Sequence, residues 1–118
     1  MLTSSVKTRI VDYFNSILRD FYKETDKSIR RNLEEKINII DDIIHIFGYE
    51  IIGCDESGTQ IIHIIPKTYS DISIEKELKY IYYDIINGFY SLENKYDYKS
   101  KLDVFNRILE ILEYEIQG

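Results

Sequence analysis

Residues 49–66 read YEIIGCDESGTQIIHIIP, and the reading of this stretch decides the fold class. Tyr49 to Cys54 and Gln60 to Ile65 are short, β-branched runs on either side of Asp55-Glu56-Ser57-Gly58-Thr59, and such runs bounded by turn residues read as paired strands. Pro66 closes the second run because it has no N–H to offer a ladder. The stretch therefore predicts a β-hairpin over 49–65 with a polar tip. Ile51, Ile61 and Ile65 together with Ile52, Ile62 and Ile64 make both faces of that hairpin apolar, more than one layer of helices can cover. A lone two-stranded hairpin is marginal in water, and its open edges invite pairing. A two-fold homodimer is the expectation that follows.

Outward from this stretch the period changes to that of helices. Upstream, Val6, Ile10, Tyr13, Phe14, Ile17, Leu18 and Phe21 recur at three- and four-residue spacing, which predicts a first helix from about Ser5 to Lys23. Thr25 or Asp26 can cap a second, striped by Ile29, Leu33, Ile37, Ile40, Ile44 and Phe47 and ended by Gly48. Downstream, Asp71 or Ser73 can cap a third helix, with Ile74, Leu78, Ile81, Tyr82, Ile85 and Phe89 as its core stripe and an end near Asn94. Asp97 or Ser100 opens a fourth, carrying Tyr98, Leu102, Phe105, Ile108, Leu109, Leu112 and Ile116 on one face. The expected architecture is one α+β domain over 1–118: a helical hairpin at 5–47, the central β-hairpin at 49–65 and a helical hairpin at 71–116.

Composition narrows the class of function. At 118 residues the chain has the size of one core, and 31% charged residues with a single proline give no sign of disorder. No basic segment precedes an apolar run, and charge interrupts every apolar stretch, so neither a targeting peptide nor a membrane span is expected. With Cys54 as the only cysteine, no disulfide framework forms, and the expected location is cytoplasmic. Alanine is absent and isoleucine and tyrosine are abundant, a bias that an AT-rich coding sequence produces without selection on function. The net charge of −6 lies wholly after Gly48, because residues 1–48 hold equal numbers of acids and bases. That sign repels phosphate backbones and attracts basic proteins, which argues against direct nucleic-acid binding.

No motif carries catalysis. The five glycines are scattered, so there is no phosphate-binding loop, and no serine sits in a nucleophile elbow. Cys54, Asp55, Glu56 and His63 gather four potential ligands near the hairpin tip, but one Cys with one His falls short of a usual zinc set. Asp41 and His45, four apart with Asp42 beside them, meet on one helical face as a solvated pair. Neither His45 nor His63 follows an arginine at the spacing used by helical nucleases of the HEPN type. The expectation is a non-enzyme with no metal and no cofactor.

The third helix carries the binding signal. At about 100° per residue, Lys76, Lys79, Tyr80, Tyr83, Asn87 and Tyr90 gather opposite Leu78, Ile81, Ile85 and Phe89. A helix apolar or aromatic on both sides is either central or half of an interface, and tyrosine suits an interface because it offers apolar area, a hydroxyl and few rotatable bonds. The fourth helix adds Glu110 and Glu113 on an acidic edge. In size, charge sign and tyrosine content the chain resembles phage anti-defence and toxin-immunity proteins, without any aligned motif. The expected function is a non-catalytic protein-binding module, a small acidic inhibitor that occupies a basic nuclease or nucleic-acid-binding protein. The alternatives are a self-associating structural subunit and a small RNA-binding or metal-dependent enzyme domain.

Overall fold

The computed structural model describes residues 3–52, 63–66, 74–90 and 98–114. Its elements run α1 (Ser4–Lys23), α2 (Lys27–Ile46), β1 (Tyr49–Ile52), β2 (His63–Pro66), α3 (Ile74–Ile86) and α4 (Lys99–Ile111). Two helices of 20 residues and two of 13 dominate the described chain. The fold is therefore mostly helical, which corrects the α+β assignment and its central β-hairpin. The two strands are four residues each and pair antiparallel, Tyr49 opposite Pro66 and Ile52 opposite His63, as a short ribbon at the side of α1 and α2. They do not form a layer on which the helices pack. The predicted hairpin tip lies outside the described residues.

The reason for the difference is visible in α2. This helix packs against α1, α3, α4 and β1, and Ile39, Ile40, Ile43 and Ile44 are all fully buried. A helix with neighbours on several sides takes the centre of the core, the place that the sequence reading gave to the strands. Isoleucine builds that helical core, so its β-branching does not separate strand from helix in this chain.

Local chemistry sets the helix ends. Thr3 caps α1 by accepting the Val6 N–H at 3.1 Å, and Asp26 caps α2 by accepting those of Ser28 and Ile29. Gly48 follows α2 at φ 85°, a left-handed conformation that glycine adopts without steric cost. Gly88, at φ 82°, does the same after α3: its N–H bonds the carbonyl of Ile85 while that of Phe89 bonds the carbonyl of Asp84. The third helix thus stops at Ile86 and does not run on to Asn94. The fourth stops at Ile111, where Glu113 makes the corresponding turn at φ 57°, and does not reach Ile116.

The core stripes also need correction. Phe89 is 66% exposed and Tyr82 37%, so neither belongs to the buried stripe of α3 that Leu78, Ile81 and Ile85 form. Ile29 is exposed on α2, and two charged side chains, Glu35 and Lys101, are buried between α2 and α4.

Candidate functional site

Leu78, Ile81 and Ile85 turn one face of α3 inward, toward α2 and α4, and the 100° step then sends its remaining large side chains outward. Tyr80 is 54% exposed and Tyr83 59%, with Tyr82 and Ile86 beside them less so. These tyrosines are thus outside the core of the chain. Lys76 sends its ammonium over the Tyr80 ring, 5.9 Å from the centroid, one helical turn away. Glu75, Lys76, Lys79, Tyr80 and Tyr83 line a shallow groove of about 390 Å³. The Tyr82 ring bridges the patch to the core, 5.8 Å from Tyr83 on one side and 5.8 Å from Phe105 of α4 on the other.

Of the residues expected on this face, Lys76, Tyr80, Tyr83 and Asn87 are exposed and Lys79 is half-buried. Tyr90 is not among them. The left-handed Gly88 reverses the chain direction, so Phe89 points outward and Tyr90 inward, opposite to what an uninterrupted helix gives. Tyr90 is 8% exposed, and its hydroxyl donates to Asp42 Oδ2 at 2.5 Å. Burial first, then the hydrogen bond to Asp42 and the charges of Asp42 and Asp84, hold the Tyr90 phenol far above its ordinary range. It remains a protonated donor. Glu110 and Glu113 are exposed at the far end of α4, Glu110 with its carboxylate 3.0 Å from Arg107, and neither lines the groove on α3.

A second concavity, of about 480 Å³, opens between α2 and the turn after α3. Arg31, Glu34, Asn38 and Asp42 form its α2 wall at helical spacing, and Phe89 and Tyr90 stand across from them. Glu35 is also at the lining and is 5% exposed; one of its oxygens is 3.6 Å from Arg31 Nε and the other 3.6 Å from the ammonium of Lys101. Sequence reasoning missed this network, although the signal was there. Glu35 sits four residues before Ile39, and Lys101 four before Phe105, so opposite charges fall on two apolar stripes.

The remaining candidates stay apart from both surfaces. Asp41 and His45 approach to 3.6 Å on a partly exposed face of α2. Cys54, Asp55, Glu56 and the side chain of His63 lie outside the described residues. Among the described residues no group of three or more potential ligands could hold a metal ion, and no helix is long and apolar enough to cross a membrane. No family model matches the chain, and no curated protein or solved structure matches it.

Proposed function

We propose that the chain is a non-catalytic protein-binding module, an acidic inhibitor of the immunity or anti-defence kind, which presents the outer face of α3 to a basic nuclease or nucleic-acid-binding protein. One observation carries this reading: Tyr80, Tyr82, Tyr83, Ile86 and Phe89 are all exposed along one short helix and the turn that ends it. At about 200 Å² for a whole aromatic side chain, the exposed fractions of Tyr80, Tyr82, Tyr83 and Ile86 on α3 amount to roughly 370 Å² of partly apolar surface. That is within the range of the largest patch a monomer leaves uncovered, and such patches are often functional.

Charge favours a different protein over a second copy, because pairing two α3 faces would bring together two chains that each carry −6. A basic partner reverses the electrostatic term and steers the encounter. Lys76 and Lys79, at the groove itself, then act locally by pairing with carboxylates of the partner.

The test is a titration of the wild-type chain and the Tyr83→Ala variant against the protein that co-purifies with it, at low and high salt. Truncating a buried aromatic anchor costs about 2 kcal/mol or more of binding, mainly through faster dissociation. Reversing the charges of Glu110 and Glu113 should instead slow association at low salt and matter little at high salt. A stoichiometric complex with a basic protein, weakened in this way, supports the reading. A complex indifferent to Tyr83→Ala, or co-purification with nucleic acid alone, would sink it.

A further inference from the structure

We infer that the cleft between α2 and the turn after α3 is a pocket for one guanidinium side chain of the basic partner, an inference that rests on the protein-binding reading above. The turn itself is the first argument. Where a helix ends in this way, the residue after the left-handed glycine usually packs an apolar side chain back on the helix, against the residue whose carbonyl its N–H bonds. Here that residue is Asp84, and the Phe89 ring is 66% exposed. Its position is nonetheless fixed. Gly88 sets the chain direction, Tyr90 is anchored on Asp42, and the Phe89 ring meets that of Tyr90 edge-on, with centroids 5.5 Å apart and planes at 82°. The fold therefore presents an aromatic ring at the rim of a concave, charged surface.

Charge identifies what such a rim accepts. Glu34, Asn38 and Asp42 are spaced four apart and form one line along the α2 wall. Among the described residues at the cleft and beneath it, the carboxylates of Glu34, Glu35 and Asp42, with Asp84 near Tyr90, outnumber the cations of Arg31 and Lys101, which leaves a net negative charge for a cation to neutralise. A guanidinium fits better than an ammonium, because it is planar, binds a carboxylate through two parallel hydrogen bonds and stacks on an aromatic face. The chain uses both halves of this chemistry internally: the Arg30 guanidinium lies 4.5 Å from the Phe21 ring centroid, and Arg31 bridges to Glu35. The cleft, of about 480 Å³, is large enough to admit a long side chain.

The experiment titrates the full chain, isotopically labelled, with argininamide and separately with citrullinamide, its neutral isostere, while following amide and aromatic resonances. Argininamide should give saturable shifts at Glu34, Asn38, Phe89 and Tyr90, and citrullinamide none. Phe89→Ala, which removes an exposed ring and leaves the core untouched, should weaken argininamide by about five-fold, the scale of a partly exposed cation–π contact. Glu34→Gln should weaken it by a similar factor. Equal shifts with citrullinamide, shifts centred elsewhere, or unchanged affinity in Phe89→Ala would each overturn the assignment. The two proposals separate cleanly in the partner titration. If Tyr83→Ala weakens the complex while Phe89→Ala and Glu34→Gln do not, the guanidinium pocket falls and the protein-binding reading stands.

Discussion

Replacing Glu35 by glutamine takes a carboxylate partner away from an ammonium with almost no access to water. Lys101 is 1% exposed and its nitrogen lies 3.6 Å from Glu35 Oε2. At that distance and an effective dielectric constant of about 20, two unit charges attract by about 4–5 kcal/mol. Arg31, 3.6 Å from the other oxygen, is 42% exposed, and solvent screening limits its share to about 1 kcal/mol or less. Removing one partner of a buried pair typically costs about 3–5 kcal/mol, so Glu35→Gln should lose about 3–4 kcal/mol. Against a total of about 5–15 kcal/mol for a domain, the variant remains folded but marginal. Lys101→Met should cost less, because Arg31 still faces the carboxylate that remains. Joining Glu35→Leu to Lys101→Met should return stability close to wild type, since apolar replacement of a whole buried pair is often neutral or better. The assay is urea unfolding at neutral pH followed by circular dichroism, with the coupling energy taken from the four-protein cycle. A loss below about 1 kcal/mol in Glu35→Gln, or strictly additive effects in the double variant, would refute the argument that this pair is desolvated and coupled.

Three further outcomes are expected. Glu113→Gly should raise stability by about 0.5–1 kcal/mol, because Glu113 holds φ 57° at a left-handed position that suits glycine better; an unchanged or lower melting temperature counts against that strain. Asp26→Ala should cost about 1 kcal/mol in urea unfolding by freeing the Ser28 and Ile29 N–H groups, whereas Asp26→Asn should recover most of the loss. Tyr90→Phe should cost about 1.5 kcal/mol at neutral pH by removing a donor to a carboxylate. For Tyr90 the folded-state pKa lies above the ordinary tyrosine value of about 10, so its contribution is complete below that pH and declines as pH rises toward the folded value. Unfolding profiles between neutral and strongly alkaline pH should therefore fall less steeply in Tyr90→Phe than in wild type, and superimposable profiles would contradict the assignment.

The periodicity of α1 and of the second half of α2 was legible because their charges fall cleanly between apolar positions, and Gly48 was legible because the apolar pattern changes there. Gly88 carries the same signal after Asn87 but is masked by its neighbours. Ile85, Ile86, Phe89 and Tyr90 continue an apolar pattern at helical spacing straight through it, so the pattern outvoted the glycine. That single misreading exchanged the environments of Phe89 and Tyr90. Residues 49–66 misled about architecture: Tyr49–Ile52 and His63–Pro66 do pair as strands, but as a short ribbon beside a helical core, and strand propensity says nothing about which element takes the centre. The position of Glu35 and of Lys101 on an apolar stripe was legible, but not their pairing. Only the packing of α2 on α4 makes Glu35 and Lys101 partners, and that is tertiary information.

The two proposed surfaces differ in how they tie binding to stability. On α3 the roles are divided: Leu78, Ile81 and Ile85 are buried and hold the helix, while Tyr80 and Tyr83 are exposed on its outer side. Substitutions there can change affinity without changing the fold. At the cleft the same groups serve both purposes. Asp42 anchors Tyr90 and lines the wall, and Glu35 closes the floor over Lys101. Neutralising Asp42 would weaken the electrostatic case for a guanidinium and at the same time loosen the turn that presents Phe89. Specificity at the cleft therefore cannot drift independently of stability. Affinity on α3 can, because its outer tyrosines sit on a helix whose inner face alone secures it.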